Sequence, residues 1–183
     1  MQKPIYYLPG RGGRLDTGLG LHLLQKGYDL TGRALVDDFN KLSFAEQVDT
    51  VAQDLRANFW NASAQIIANS FGAYLFLQAQ IQLTPFPGKV LLLSPIVGES
   101  SNEGRGASFI PPRATQLLEL AESGKYPKPL HCQMHVGSED WQCNPENVQK
   151  LAELIQAKAF VVEGVGHSLP KSYVGALLDR WLS

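Results

Sequence analysis

The chain has 183 residues, with 16 basic and 17 acidic side chains and a formal net charge of −1. That length suits one domain, residues 1–183, able to bury a core without metals or disulfides. The basic residues are scattered, which argues against a nucleic-acid or anionic-membrane partner, and no apolar run approaches the roughly 20 residues needed to cross a bilayer.

The N-terminal stretch MQKPIYYLPG turns at once to strand-like residues and lacks the apolar core of a signal peptide. Only two cysteines are present, Cys132 in a strand-like run and Cys143 in a loop, an arrangement that fits a reduced pair better than a disulfide. A soluble cytoplasmic protein is expected.

In chain order, IYYLPG (5–10) reads as a first strand. A helix over roughly 14–26 follows, weakened by Gly18 and Gly20. YDLTGRAL (28–35) reads as a second strand. Over 43–59, Phe44, Val48, Val51, Leu55 and Phe59 recur at helical spacing, and Ser43 with Glu46 forms a capping box. AQIIANS (64–70) and KVLLLSP (89–95) are near-continuous aliphatic runs, as expected of parallel strands covered on both faces. A long apolar helix follows Ser70. Residues 112–123 read as a helix that Gly124 stops. LHCQMHVG (130–137) is a fifth strand, and Asn144 caps a helix over 145–156 with Pro145 at its first position. AFVVEG (159–164) is a sixth strand before a last helix over 170–182. The segment 97–112, rich in Gly and Ser, has little periodicity and reads as a lid, a binding loop or a plain surface loop. Alternating strands and helices predict an α/β fold, a three-layer sandwich around a doubly wound parallel sheet of about six strands.

In such sheets ligands bind beyond the carboxyl ends of the strands. The residues that follow the strands are therefore informative. PGRGG (9–13) follows the first, Ser70 the third, GSEDWQCNP (137–145) the fifth and GVGHSLP (164–170) the sixth. One rim is thereby expected to hold a hydroxyl, an imidazole, the carboxyl of Asp140 and glycine-exposed amides. A serine hydroxyl needs a neighbouring base to become a nucleophile. His167 can take its proton, and Asp140 can fix the imidazole tautomer. The Phe71 amide, at a helix start, and one from the first loop are placed to hold an oxyanion.

The order Ser70, Asp140, His167 and the motifs ANSFG, GSED, GVGHSLP and LPGRGG resemble the α/β-hydrolases. They match that superfamily's nucleophile elbow, acid loop, histidine loop and oxyanion loop, and the likeness covers nearly the whole chain. The resemblance implies a small serine hydrolase without the superfamily's first two strands or a large cap, with strand order 2-1-3-4-5-6. It implies cleavage of a small ester or thioester, with no cofactor and no metal. Two positions depart from the pattern: Ala68 stands where the elbow usually has Gly, and Pro9 where the oxyanion loop usually has His. The first-loop donor is expected to be the Arg11 amide, with Gly12 in reserve.

Other readings remain for several residues. A serine after a strand is commonly a cap or turn residue. Glu139, beside Asp140, and Glu99, after the fourth strand, are rival acids. His22, His131 and His135 read as structural. PGRGG lacks the Lys-Ser/Thr ending of a phosphate loop. Arg11, Gly12 and Trp141 flank the site as expected pocket residues, and Arg11 either favours a substrate carrying a carboxylate or phosphate or is a solvated surface charge. A binding or scaffolding protein on the same fold is the alternative function, since fold alone does not establish chemistry. Within the enzyme reading, a peptidase, lactonase, perhydrolase or carbon–carbon bond hydrolase also remains open.

Overall fold

In the computed structural model, which describes residues 4–183, alternation along the strands divides the apolar side chains between two cores. Residues 1–3 of the stretch weighed above as a leader lie outside the described residues. The strands are β1 (Ile5–Leu8), β2 (Leu30–Gly32), β3 (Gln65–Asn69), β4 (Lys89–Leu93), β5 (Ser100–Asn102), β6 (Ala107–Phe109), β7 (His131–Gly137) and β8 (Lys158–Val162). The helices are α1 (Gly18–Gln25), α2 (Asp37–Lys41), α3 (Phe44–Asp54), α4 (Phe71–Gln80), α5 (Gln116–Glu122), α6 (Pro145–Ile155) and α7 (Lys171–Trp181).

Six strands form one parallel sheet in the order β2-β1-β3-β4-β7-β8. Counting only these strands, that is the expected 2-1-3-4-5-6. On one face Ile5, Tyr7, Ile67, Leu91 and Leu93 pack against Leu23 of α1 and Leu177, Leu178 and Trp181 of α7. On the other, Tyr6, Leu8, Ile66, Val90, Leu92 and Met134 pack under α3, α4, α5 and α6. The register pairs Leu8 with Ala68, Ala68 with Leu92, and Leu92 with Met134, so the carboxyl ends of the central strands share one rim. No helix among the described residues is long and apolar enough to cross a membrane.

The local signals hold where they were strongest. The Ser43–Glu46 capping box forms at the start of α3, and the Asn144 side chain caps α6 with Pro145 in its first turn. The helix expected over 43–59 changes pitch after Asp54 into a π-turn over Leu55–Phe59. The second strand is shorter than its apolar pattern. Gly32 takes φ 144°, and beyond it Leu35 bonds to the first loop through the Gly13 carbonyl, 2.9 Å away. Within 97–112 the chain forms the β5–β6 hairpin, antiparallel and separate from the main sheet.

Candidate active site

β3 ends at Asn69, and α4 begins at Phe71, so Ser70 alone makes the turn between strand and helix. Its backbone takes φ 50° and ψ −117°, a conformation that costs free energy for any residue with a side chain. Two hydrogen bonds hold it there: the Ser70 amide donates to the Leu93 carbonyl at 2.8 Å, and the Tyr74 amide donates to the Ser70 carbonyl at 3.1 Å. The turn lifts the hydroxyl out of the sheet, and the buried Ala68 is small enough to sit beneath it.

Ser70 Oγ lies 3.0 Å from Nε2 of His167. On the other side of the ring, Nδ1 lies 3.0 Å from Asp140 Oδ2 and 3.2 Å from Oδ1. Asp140 is 1% exposed, and its Oδ1 accepts the amides of Gln142 and Cys143, both at 3.0 Å. These donors hold the carboxylate in place beside the ring. The rival acids Glu139 and Glu99 are exposed to solvent and bond neither to Ser70 nor to His167.

The acid and histidine loops are bound to each other. Glu139 N–H donates to the Val165 carbonyl at 2.9 Å, and Gly164 N–H donates to Ser138 Oγ at 2.9 Å. Gly137 has no side chain because one would meet the Val165 carbonyl oxygen at 2.1 Å.

Ser94, just after β4, is a residue the sequence reading missed. It adopts φ 44°, donates its hydroxyl to the His167 carbonyl at 2.9 Å, and accepts the Cys143 thiol on its own carbonyl at 2.9 Å. The signal was available, since Ser94 follows a strand just as Ser70 does.

The amides near Ser70 sort the oxyanion candidates. Phe71 N–H lies in the first turn of α4, where helix geometry supplies no acceptor. In the first loop, Gly12 N–H donates to the Leu35 carbonyl at 3.1 Å and Gly13 N–H to Gly10 at 2.9 Å. Gly12 is thus already engaged and makes a poorer reserve donor, whereas among the described residues the Arg11 amide carries no such backbone bond.

A cleft of about 360 Å³ opens over this rim, lined by Gly10, Arg11, Asn69, Ser70, Phe71, Ile96, Phe109, Gln142 and His167. Gly12 and Trp141, expected in the pocket, do not line it. Gly12 is drawn toward β2 by its bond to Leu35, and the turn at Asp140 brings Gln142 to the cleft in place of Trp141. Phe109 of the β5–β6 hairpin forms part of the wall, so 97–112 does contribute to the cleft. An adjoining cavity of about 460 Å³ shares Asn69 and His167 and runs between α1 and α7 past Leu19, Leu93 and Val174. A third space, about 480 Å³, lies at the opposite end of the sheet beside His131, Lys158 and Trp181; it holds no paired nucleophile and base.

Asp140, Cys143 and His167 each bring one potential metal-ligand atom within 4.8 Å of the others. Burial and the neighbouring carboxylate push the Cys143 thiol up, so it is a neutral S–H donor to Ser94 rather than a thiolate. His135, one of the remaining histidines, is buried on β7, stacked on Phe160 and bonded to the Tyr173 hydroxyl at 2.7 Å.

No protein-family model matches the chain, and no curated protein matches it. Solved structures do. The ydeN gene product of B. subtilis superposes with a TM-score of 0.65 at 17% identity, over 100% of each chain. MGS-MChE2, an α/β hydrolase from a sediment metagenome of the Mar Chica lagoon, gives 0.65 at 17% identity over 99% of this chain and 90% of its own. A structure from a study of carboxylesterases of the thaumarchaeon Nitrososphaera gargenis gives 0.62 at 13% identity, covering 98% and 90%. The protein therefore has the α/β-hydrolase fold.

Proposed function

We propose that the protein is a serine hydrolase that cleaves a small ester or thioester through Ser70, His167 and Asp140. The observation that carries this reading is the unbroken chain of contacts from Ser70 Oγ through both ring nitrogens of His167 to a buried carboxylate. The fold's likeness to the carboxylesterase structure supports an ester substrate.

In the proposed cycle, His167 Nε2 takes the Ser70 proton as Oγ attacks the substrate carbonyl. The resulting oxyanion is held by the amides of Phe71 and Arg11. When the tetrahedral adduct collapses, the bond to the leaving group breaks and His167 returns the proton to the departing alkoxide or thiolate. Water, deprotonated by His167, then attacks the acyl-serine ester, and collapse releases the acid and reprotonates Ser70. Asp140 orients the ring and stabilises the imidazolium that forms in each half-reaction. Both cysteines are buried and free, which fits the cytoplasmic location proposed here.

The test is labelling with a fluorophosphonate probe alongside hydrolysis of p-nitrophenyl esters of graded chain length. The expected result is a single adduct on Ser70 and turnover that Ser70→Ala abolishes. A folded protein that takes no label, or a Ser70→Ala variant that turns over esters like the wild type, overturns the assignment in favour of a binding protein on this fold.

A further inference from the structure

Resting on that reading, we infer that the preferred substrate carries an anionic group, a carboxylate or a phosphate, on the Arg11 side of the scissile carbonyl. The Arg11 guanidinium is laid over the Phe71 ring, 3.8 Å from its centroid. Cation–π contact of this kind pins a long side chain that would otherwise sample many rotamers. The charge is therefore held at the cleft wall, beside the residue whose amide faces the proposed oxyanion. Phe71 is 4% exposed, so one face of the ring is covered by the guanidinium rather than by water.

What makes this more than a cover for an aromatic ring is the absence of a counter-charge. Among the described residues, Arg11 forms no ion pair and no side-chain hydrogen bond to a carboxylate. Among the described residues no Asp or Glu lines the cleft or the adjoining cavity, which instead has Lys171 and His22. The one carboxylate of the site, Asp140, is buried behind His167 and engaged by it. A second guanidinium continues the pattern. Arg113 lies 5.6 Å from the Phe44 ring, whose centroid is 6.1 Å from that of Phe71, and it too has no acidic partner among the described residues. A cleft with fixed positive charge on its wall and no accessible negative charge raises the local concentration of anions and penalises cationic ligands. Arg11 supplies up to two parallel N–H donors to a carboxylate or phosphate without losing its stacking on Phe71.

Two matched pairs of esters test this, one with the charge on each side of the scissile bond. p-Nitrophenyl hemiglutarate is compared with its methyl ester, and p-acetoxybenzoate with its methyl ester. Within at least one pair the wild type is expected to favour the charged member in kcat/KM by about tenfold, the scale of one hydrogen bond to a charged group. That ratio should fall toward one in Arg11→Gln, survive in part in Arg11→Lys, and shrink in about 1 M NaCl, where the screening length is about 3 Å. A wild-type ratio of one or less in both pairs overturns the inference, as does a ratio that Arg11→Gln leaves intact. Should Arg11→Gln fail to fold, the salt series on wild type decides, and a ratio indifferent to salt overturns it. Hydrolysis of the neutral esters with no charge preference sinks this inference alone. Failure to hydrolyse any of the four faster than Ser70→Ala sinks the serine-hydrolase reading and this inference with it.

Discussion

The carbonyl oxygen of Pro9 occupies the space that a β-carbon on Gly72 would need, at 2.3 Å, with the Leu8 carbonyl oxygen 2.4 Å from the same point. The end of β1 and the first turn of α4 thus meet backbone to backbone. This contact sets the first loop, proposed to hold the oxyanion, against the start of α4. Both neighbours are main chain, so neither can swing aside as a side chain would. Gly72→Ala is expected to destabilise the protein by about 3 kcal/mol, the upper range for forcing a methyl group into a closed core. Chemical denaturation checks this; a loss below about 1 kcal/mol would mean that the loop shifts freely.

Asp140→Asn tests the second half of the proposed triad. The substitution keeps size and shape but removes the charge that stabilises imidazolium, and an amide nitrogen facing Nδ1 favours the wrong tautomer. kcat for a p-nitrophenyl ester is expected to fall by about a thousandfold or more. Glu139→Gln, an exposed neighbour, should leave kcat near the wild-type value. Similar losses from both substitutions would show that the acid has been misassigned.

Legibility in the sequence followed the length and repetition of each signal. Strands β3 and β4 and helices α3 and α6 carry several periodic positions or explicit caps, and they lie within a few residues of their expected bounds. The meeting of Ser70, Asp140 and His167 was readable because each lies in the segment that follows a strand of one sheet, and the shared register brings those ends together. The β5–β6 hairpin was not readable: its strands are three residues each, SSN and ASF, too short for alternation to register. Nor was α2, five residues beginning at Asp37 with φ 50°, a conformation no propensity scale favours. Gly12 and Trp141 failed as pocket residues for a related reason. Which loop residue faces a cleft is decided by individual hydrogen bonds, such as Gly12 to Leu35 and Gln142 to Asp140, and these leave no periodic trace.

Ser94→Ala probes a positioning residue. Its hydroxyl bonds to the His167 carbonyl, and its backbone carbonyl holds the Cys143 thiol beside Asp140. Losing the hydroxyl removes a tie between the histidine loop and the residue after β4, and small displacements of a proposed catalytic base are costly. kcat is expected to drop by about tenfold with KM nearly unchanged, and fluorophosphonate labelling of Ser70 should slow in proportion. If stability falls while kcat and labelling stay at wild-type values, the bond is structural only.

His135 should give the stability of the fold a pH dependence of its own. The ring is 3% exposed, stacked on Phe160 of β8, with Tyr173 and Arg180 of α7 nearby. Burial pushes its pKa down to about 4, and the charge of Arg180 adds to the shift. An imidazole in the unfolded chain titrates near 6.5. Between those two values the unfolded state binds the proton and the folded state does not, so unfolding gains as pH falls. The stability associated with a neutral His135 is complete above about pH 6.5, declines through the window, and is fully lost below about pH 4. Carboxylates begin to titrate at the bottom of that range, so the interval from about pH 6.5 to about pH 5 isolates the histidine. In His135→Gln, which retains a polar partner for Tyr173, the slope of unfolding free energy over that interval should flatten relative to wild type. Denaturant titrations at half-unit pH steps measure it, and parallel curves for the two proteins would show that His135 titrates alike in both states.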